Sequence, residues 1–233
     1  MKSAFVTGAN RGLGYGFVEY LLADGYLVFA GTREISSSLP VYENLVWIEC
    51  DVTSDESIEK AVAKVAQRTS SIDFLINNAG TNKDTIPEGN KELVSIFGLL
   101  DRKALLNMFD INTISPIIVT QKFAPLLKGE PSFVINISSA RASFQDGHAG
   151  STANYGYAAS KIALNMMTYC SENELPENVR TFAVHPGGVS TDMNPDALNQ
   201  PKDQAGKIIL ITMNWNDDLN GRFLNYDGSL YSL

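Results

Sequence analysis

Thr7-Gly8-Ala9-Asn10-Arg11-Gly12-Leu13-Gly14 follows the apolar run Ser3-Ala4-Phe5-Val6 and precedes an amphipathic stretch, and its reading decides the fold. A glycine turn between strand and helix brings free backbone N–H groups to the positive helix end, and the missing side chains let a pyrophosphate come close. The spacing is neither G-x-G-x-x-G nor a phosphate loop closed by Gly-Lys-Ser/Thr. Its placement directly after the first strand is what marks it as a dinucleotide turn, with Gly8, Asn10, Arg11, Gly12, Leu13 and Gly14 as the expected contacts.

Outward from that turn, short apolar runs at 3–7, 26–31, 45–50, 72–77, 132–138, 179–185 and 222–225 read as strands buried on both faces. Amphipathic stretches at 13–23, 55–67, 100–127, 155–173 and 202–214 lie between them. This alternation predicts an α/β fold: a doubly wound, mainly parallel seven-stranded sheet with helices on both faces, built as one domain over 1–233. Thr53 and Glu56 have capping-box spacing at the start of the second helix, and Pro116 predicts a break in the third. The segments 81–98 and 143–154 read as long loops at the end of the sheet.

The 233 residues are 44% hydrophobic and 19% charged, enough apolar material for a packed core and too little charge for disorder. A net charge of −8 disfavours nucleic acid and anionic membranes and favours small-molecule partners. Cys50 and Cys170 have no metal-ligand spacing, no apolar stretch is long enough to span a membrane, and the N-terminal stretch does not resemble a signal peptide. A cytoplasmic protein is expected.

Where the second strand ends, Thr32 stands at the position at which NAD-binding turns place an acid for the ribose 2′-hydroxyl, and Arg33 follows. With no carboxylate there to repel a 2′-phosphate, and with Arg11 as a second guanidinium, NADP(H) is the expected cofactor. Tyr157-Ala158-Ala159-Ser160-Lys161 sets a phenol and an ammonium at i and i+4, one face of a helix. A nearby cation favours phenolate and brings a sluggish acid toward working pH. Tyr155 has Ala159 four residues on and lacks that cation. The strand Phe133-Val134-Ile135-Asn136-Ile137 ends in Ser138 and Ser139, either of which can hold a substrate carbonyl.

Taken together, Thr7-Gly8…Gly12-x-Gly14, Asp51-Val52, Asn77-Asn78-Ala79-Gly80, Asn112, Ser138-Ser139, Tyr157…Lys161 and Pro186-Gly187…Thr191 resemble, in order, the motifs of the short-chain dehydrogenase/reductase superfamily in its compact form. The resemblance covers nearly the whole chain. It implies a tetrad in which Asn112 holds a relay water, Ser139 orients the carbonyl, Tyr157 donates the proton, and Lys161 binds nicotinamide ribose and lowers the tyrosine pKa. It also implies that Asp51 and Val52 border the adenine, that Asn78, Ala79 and Gly80 lie beside the adenosine ribose, and that Pro186, Gly187, Val189 and Thr191 form the nicotinamide end. No metal is implied.

Within the superfamily, Asn154-Tyr155-Gly156-Tyr157, the stretch from His185 to Met193 and the closing Gly221 to Gly228 are similar to sniffer-type carbonyl reductases and C-factor-like proteins. Two departures bear on the substrate: a longer Ser139-to-Tyr157 separation, and Gly188 where that branch often has tryptophan. The expected activity is NADPH-dependent reduction of a ketone, aldehyde or quinone. The alternative is a dinucleotide-binding redox sensor or signalling protein, since the fold alone does not guarantee turnover. The superfamily's habits imply a homodimer or homotetramer, with monomers known in this branch. His148 and His185 have no ligand partners at metal-binding spacing, and no Gly-x-Ser-x-Gly elbow surrounds a serine.

Overall fold

In a computed structural model, residues 1–82, 97–98, 100–145 and 154–233 are described. His148 and most of the two predicted long loops lie outside them. Seven strands form one sheet: β1 (Ser3–Val6), β2 (Leu27–Thr32), β3 (Leu45–Glu49), β4 (Phe74–Asn77), β5 (Ser132–Ile137), β6 (Val179–His185) and β7 (Phe223–Asn225). Their spatial order is β3-β2-β1-β4-β5-β6-β7, and every neighbouring pair is parallel.

The apolar runs are strands because successive side chains leave opposite faces of a sheet covered on both sides. Ala4, Val6, Phe74, Ile76, Phe133 and Ile135 pack into one core with Leu13, Phe17 and Leu21 of α1 (Gly12–Ala23) and Ala205, Ile208 and Ile209 of α6 (Pro201–Met213). The alternate residues Phe5, Leu75 and Val134 meet Ile58, Ala61 and Val65 of α2 (Asp55–Ala66), and Val119 and Phe123 of the helix Ser115–Phe123. Helices therefore cover both faces.

One local expectation is met, the break near Pro116, and another changes. The helix predicted over 100–127 is divided into α3 (Arg102–Phe109), a π-type turn Asp110–Ile114, and α4 (Ser115–Phe123), ending in a 3₁₀ turn Ala124–Leu126. The break lies just before Pro116, which sits in the first turn of α4; the residues ahead of it are helical, with the Ser115 N–H bonded to the Asp110 carbonyl, and proline has no N–H to continue that ladder. The Thr53–Glu56 box does not form. Thr53 donates its hydroxyl and N–H to Asp51 Oδ1, so Ser54 caps α2 by accepting from the Ser57 N–H, and Glu56 pairs with Lys60.

The chain runs outward from β1 to β3, then crosses back to β4 and runs the other way. Between β1 and β4 lies the switch point where open parallel sheets leave a crevice beyond the strands' carboxyl ends. The glycine turn, Asn77-Asn78, Ser138-Ser139 and His185-Pro186 all follow strands ending on that edge.

Candidate active site

The glycine turn is held from below by side chains of its own neighbourhood. The Thr7 hydroxyl accepts from the N–H groups of Asn78 and Ala79, each at 3.0 Å, and the Asn78 amide donates to the carbonyls of Thr7 and Gly8 at 2.9 and 3.1 Å. Gly8 and Gly12 have φ of 61° and 55°, the left-handed region that other residues enter at a cost. At Gly14 a Cβ would stand 2.2 Å from the Gly8 carbonyl oxygen and 2.4 Å from Asn78 Nδ2. Leu13 turns into the core while Asn10 and Arg11 stay exposed, and α1 begins at Gly12 with no side chain capping its first N–H groups.

Thr32 is buried, with its hydroxyl donating to the Glu34 carbonyl, and the Arg33 beside it is exposed. Asp51 and Val52 follow β3; Asp51 organises the start of α2 through Thr53, and Val52 leans on the core beneath. Arg11 is paired with Asp192, beyond β6, so the guanidinium expected for a 2′-phosphate already has an anion. The two edges of the crevice also meet at Gly12, whose Cβ would lie 3.2 Å from Thr191 Cγ2. Val189 is buried and bridges to Asn199, which anchors the stretch after Pro186 and Gly187.

On the other side of the switch point, Asn112 occupies the middle of the π-type turn and is fully buried. Its Oδ1 accepts from the Thr81 N–H, and its Nδ2 donates to the Thr81 carbonyl and to Ser160 Oγ, at 2.8, 2.8 and 3.0 Å. Widening of the helix at this one turn aims the amide sideways toward α5 (Tyr155–Ser171), a use to which π-type turns at functional sites are commonly put. Ser160 passes the connection on, its hydroxyl donating to the Tyr157 carbonyl at 2.8 Å. Gly80 lies against the same group: a Cβ there would stand 3.2 Å from Asn112 Oδ1 and 3.5 Å from Lys161 Nζ.

Lys161 is 4% exposed, and its Nζ donates to the Ile137 carbonyl at 2.7 Å. Burial holds its pKa down to about 8. The ammonium is 5.9 Å from the centre of the Tyr157 ring. Desolvation pushes the Tyr157 phenol up from its ordinary value, opposed by a hydrogen bond with Ser139 and by the charge of Arg141. The net direction is upward and Lys161 is not among the influences on it, whereas the sequence suggests a lowering by Lys161. A neutral phenol is the form that can give a proton.

Spacing left Ser138 and Ser139 as alternatives, and they face different ways. Ser138 is 2% exposed, with its hydroxyl toward the Lys161 carbonyl, whereas Ser139 meets Tyr157. Tyr155, two residues earlier and therefore on another side of the helix, is exposed. Ser160, Asp192 and His185 were not singled out as site residues; of these, Ser160 alone had a local signal, lying three residues past Tyr157 on the same helix.

A parallel sheet with a glycine cradle on one side of its switch point, and a phenol, a hydroxyl and a buried ammonium on the other, defines an oxidoreductase that works with a nicotinamide dinucleotide. The residues fit such a group: the cradle is space a Cβ would fill, and the uncapped start of α1 offers N–H groups to a pyrophosphate. The chain belongs to the short chain dehydrogenase family, whose model matches residues 2–202. It is 30% identical to an uncharacterized oxidoreductase of Schizosaccharomyces pombe, over 98% of this chain and 97% of that one. Among solved structures it resembles an NADPH-bound carbonyl reductase from chicken fatty liver, at 30% identity and a TM-score of 0.86, covering 100% of this chain and 99% of that one. It also resembles the carbonyl reductase Sniffer of D. melanogaster, at 28% identity and a TM-score of 0.83 over the whole of both chains. No helix among the described residues is long and apolar enough to cross a membrane.

Proposed function

We propose that the protein reduces a small ketone, aldehyde or quinone with NADPH, and that Tyr157 is the proton donor. The observation that carries this reading is the meeting of Ser139 and Tyr157 through one hydrogen bond beside Lys161, at the carboxyl ends of β5 and β6. When bound, the dinucleotide supplies the hydride. The hydroxyls of Ser139 and Tyr157 converge on one carbonyl oxygen, where hydrogen bonds strengthen as negative charge grows. Tyr157 then gives its proton to that oxygen.

Lys161, one helical turn on, offsets the phenolate left behind and offers its ammonium to the nicotinamide ribose. Asn112 holds Thr81 and Ser160, which fixes the floor of the site under Gly80 and Lys161. Because its amide is already bonded on both sides, its share in a proton relay falls to its main-chain carbonyl. Gly8 to Gly14 would cradle the pyrophosphate, Asp51 and Val52 would border the adenine, and Asn78 to Gly80 would lie beside the adenosine ribose.

Preference for NADPH is supported by Thr32 in place of an acid and by the exposed guanidinium of Arg33 beside it, while Arg11 can join a 2′-phosphate only by giving up its pairing with Asp192. It is also supported by the NADPH-bound carbonyl reductase among the similar structures. The test is NADPH and NADH consumption against a panel of quinones, diketones and aromatic aldehydes, for the wild type and Tyr157→Phe. The expected result is turnover with NADPH that Tyr157→Phe reduces by about two to four orders of magnitude, with NADPH still bound. Binding of NADPH without turnover of any carbonyl by either protein would move the redox-sensor reading ahead.

A further inference from the structure

We propose that His185 is a positioning residue of the active site, which sets the direction of the Ser139 hydroxyl by holding the peptide that follows it. The inference rests on the Ser139–Tyr157 reading above. His185 is the last residue of β6, and its Nδ1 accepts a hydrogen bond from the Ala140 N–H at 3.1 Å. That N–H belongs to the rigid peptide plane joining Ser139 to Ala140. Pinning it fixes ψ of Ser139, which is 150°, and with it the path by which Cβ and Oγ leave the chain.

The bond is placed where the chain needs one. Ser139 caps the short 3₁₀ turn Ala140–Ala142, and its Oγ accepts from the Arg141 N–H at 3.2 Å. The opening N–H groups of such a turn have no partner inside it. One is met by Ser139 itself, and the N–H one residue earlier is met across the sheet edge by His185. The imidazole is steadied in turn by Tyr231, whose ring stands edge-on to it at 5.4 Å and 83°. Tyr231 donates its N–H to the Phe223 carbonyl at 2.9 Å, and its ring packs on Phe223 and the small cluster containing Ala142 and Ala183. The stretch after β7 thus supports the site from behind through the ring of Tyr231 and its main-chain bond to Phe223.

Acceptance at Nδ1 is a requirement that side chains can be chosen to meet or miss. Asparagine places its Oδ1 near the position of Nδ1, glutamine places its polar atoms further out, and leucine has no acceptor. The test follows the ¹³Cζ resonance of Tyr157 at neutral pH without added cofactor, assigned by its loss in Tyr157→Phe. It compares wild type, Ser139→Ala, His185→Leu, His185→Gln and His185→Asn, alongside kcat and the NADPH Kd. Ser139→Ala, His185→Leu and His185→Gln are expected to displace the resonance in one direction and to lower kcat on the order of tenfold with the NADPH Kd unchanged. His185→Asn is expected to restore both. A wild-type resonance in folded His185→Leu or His185→Gln, with Ser139→Ala displaced, would overturn the role of His185 alone. Equal displacement in His185→Asn would overturn it too, by assigning the effect to ring packing. If Ser139→Ala leaves the resonance where it was, the Ser139–Tyr157 reading fails, and the role of His185 falls with it.

Discussion

The Arg11 guanidinium, inside the glycine turn, is ion-paired with the Asp192 carboxylate, contributed by the stretch beyond β6. The pair joins the two edges of the crevice next to the contact between Gly12 and Thr191. Both side chains are more than half exposed, at 61% and 72%, and such pairs contribute about 1 kcal/mol or less to stability. Its consequence is competition: a 2′-phosphate must share Arg11 with Asp192 or displace it. Asp192→Asn is therefore expected to tighten NADPH binding by about three- to tenfold at low salt and to leave NADH nearly unchanged. Fluorescence titration of both cofactors checks this, and the gain should shrink in about 0.5 M salt as screening shortens the reach of the charges. An equal gain for NADH would mean that Asp192 governs the opening of the crevice rather than the charge on Arg11.

Gly14 tests the cradle itself. A methyl group there would meet the Gly8 carbonyl and the Asn78 amide, one of them backbone and the other already bonded to Thr7 and Gly8. Neither can retreat without opening the turn. Gly14→Ala is expected to lower stability by about 1–3 kcal/mol in urea denaturation and to abolish NADPH binding. Retained binding would show that the turn can shift as a body.

The sheet was legible because strands buried on both faces must be apolar throughout, and Phe5, Leu75 and Val134 alternate with Ala4, Ile76 and Ile135 between the two cores as a period of two requires. The Tyr157–Lys161 pair was legible because a helix brings i and i+4 together. Contacts between distant segments left no such trace. Nothing local joins Arg11 to Asp192 or His185 to Ala140, and His185 could be weighed only as a metal ligand. Nor does periodicity reveal the π-type turn at Asn112, because a single extra residue per turn barely disturbs an apolar pattern. At α2, the spacing pointed to Thr53, but Asp51, outside the helix, takes the Thr53 hydroxyl and the cap falls to Ser54.

Gly188 bears on what the pocket accepts. A Cβ there would meet nothing closer than 3.8 Å, from Ala197 and Asn194, so the position has room for a side chain. Gly188→Trp, which restores the residue often found in the similar branch, is expected to change stability by less than about 0.5 kcal/mol. The NADPH Kd should hold while KM shifts several-fold between small and bulky carbonyls in the panel. A parallel shift for every substrate would place the tryptophan outside the pocket.

Lys161 carries a cost in stability that its proposed role explains. Its pKa falls from 10.5 to about 8 because burial disfavours the ammonium. At about 1.4 kcal/mol for each pH unit, that difference corresponds to roughly 3–4 kcal/mol of destabilisation wherever the folded lysine is charged. Below pH 8 both folded and unfolded forms are protonated and the penalty is complete. Between 8 and 10.5 the unfolded chain binds the proton and the folded one has released it, so stability contributed at this site rises with pH; above 10.5 the penalty is gone. Lys161→Met leaves the Ile137 carbonyl without its donor but removes the buried charge, and is expected to be more stable than wild type by about 1–3 kcal/mol at pH 7. Urea denaturation of both proteins at intervals from pH 7 to 10.5 should show that advantage shrinking across the window, with other titrating groups cancelling in the difference. A gap that stays constant with pH would mean that Lys161 ionises in the folded protein as it does in water, and that the ammonium held beside Tyr157 imposes no stability penalty on the fold.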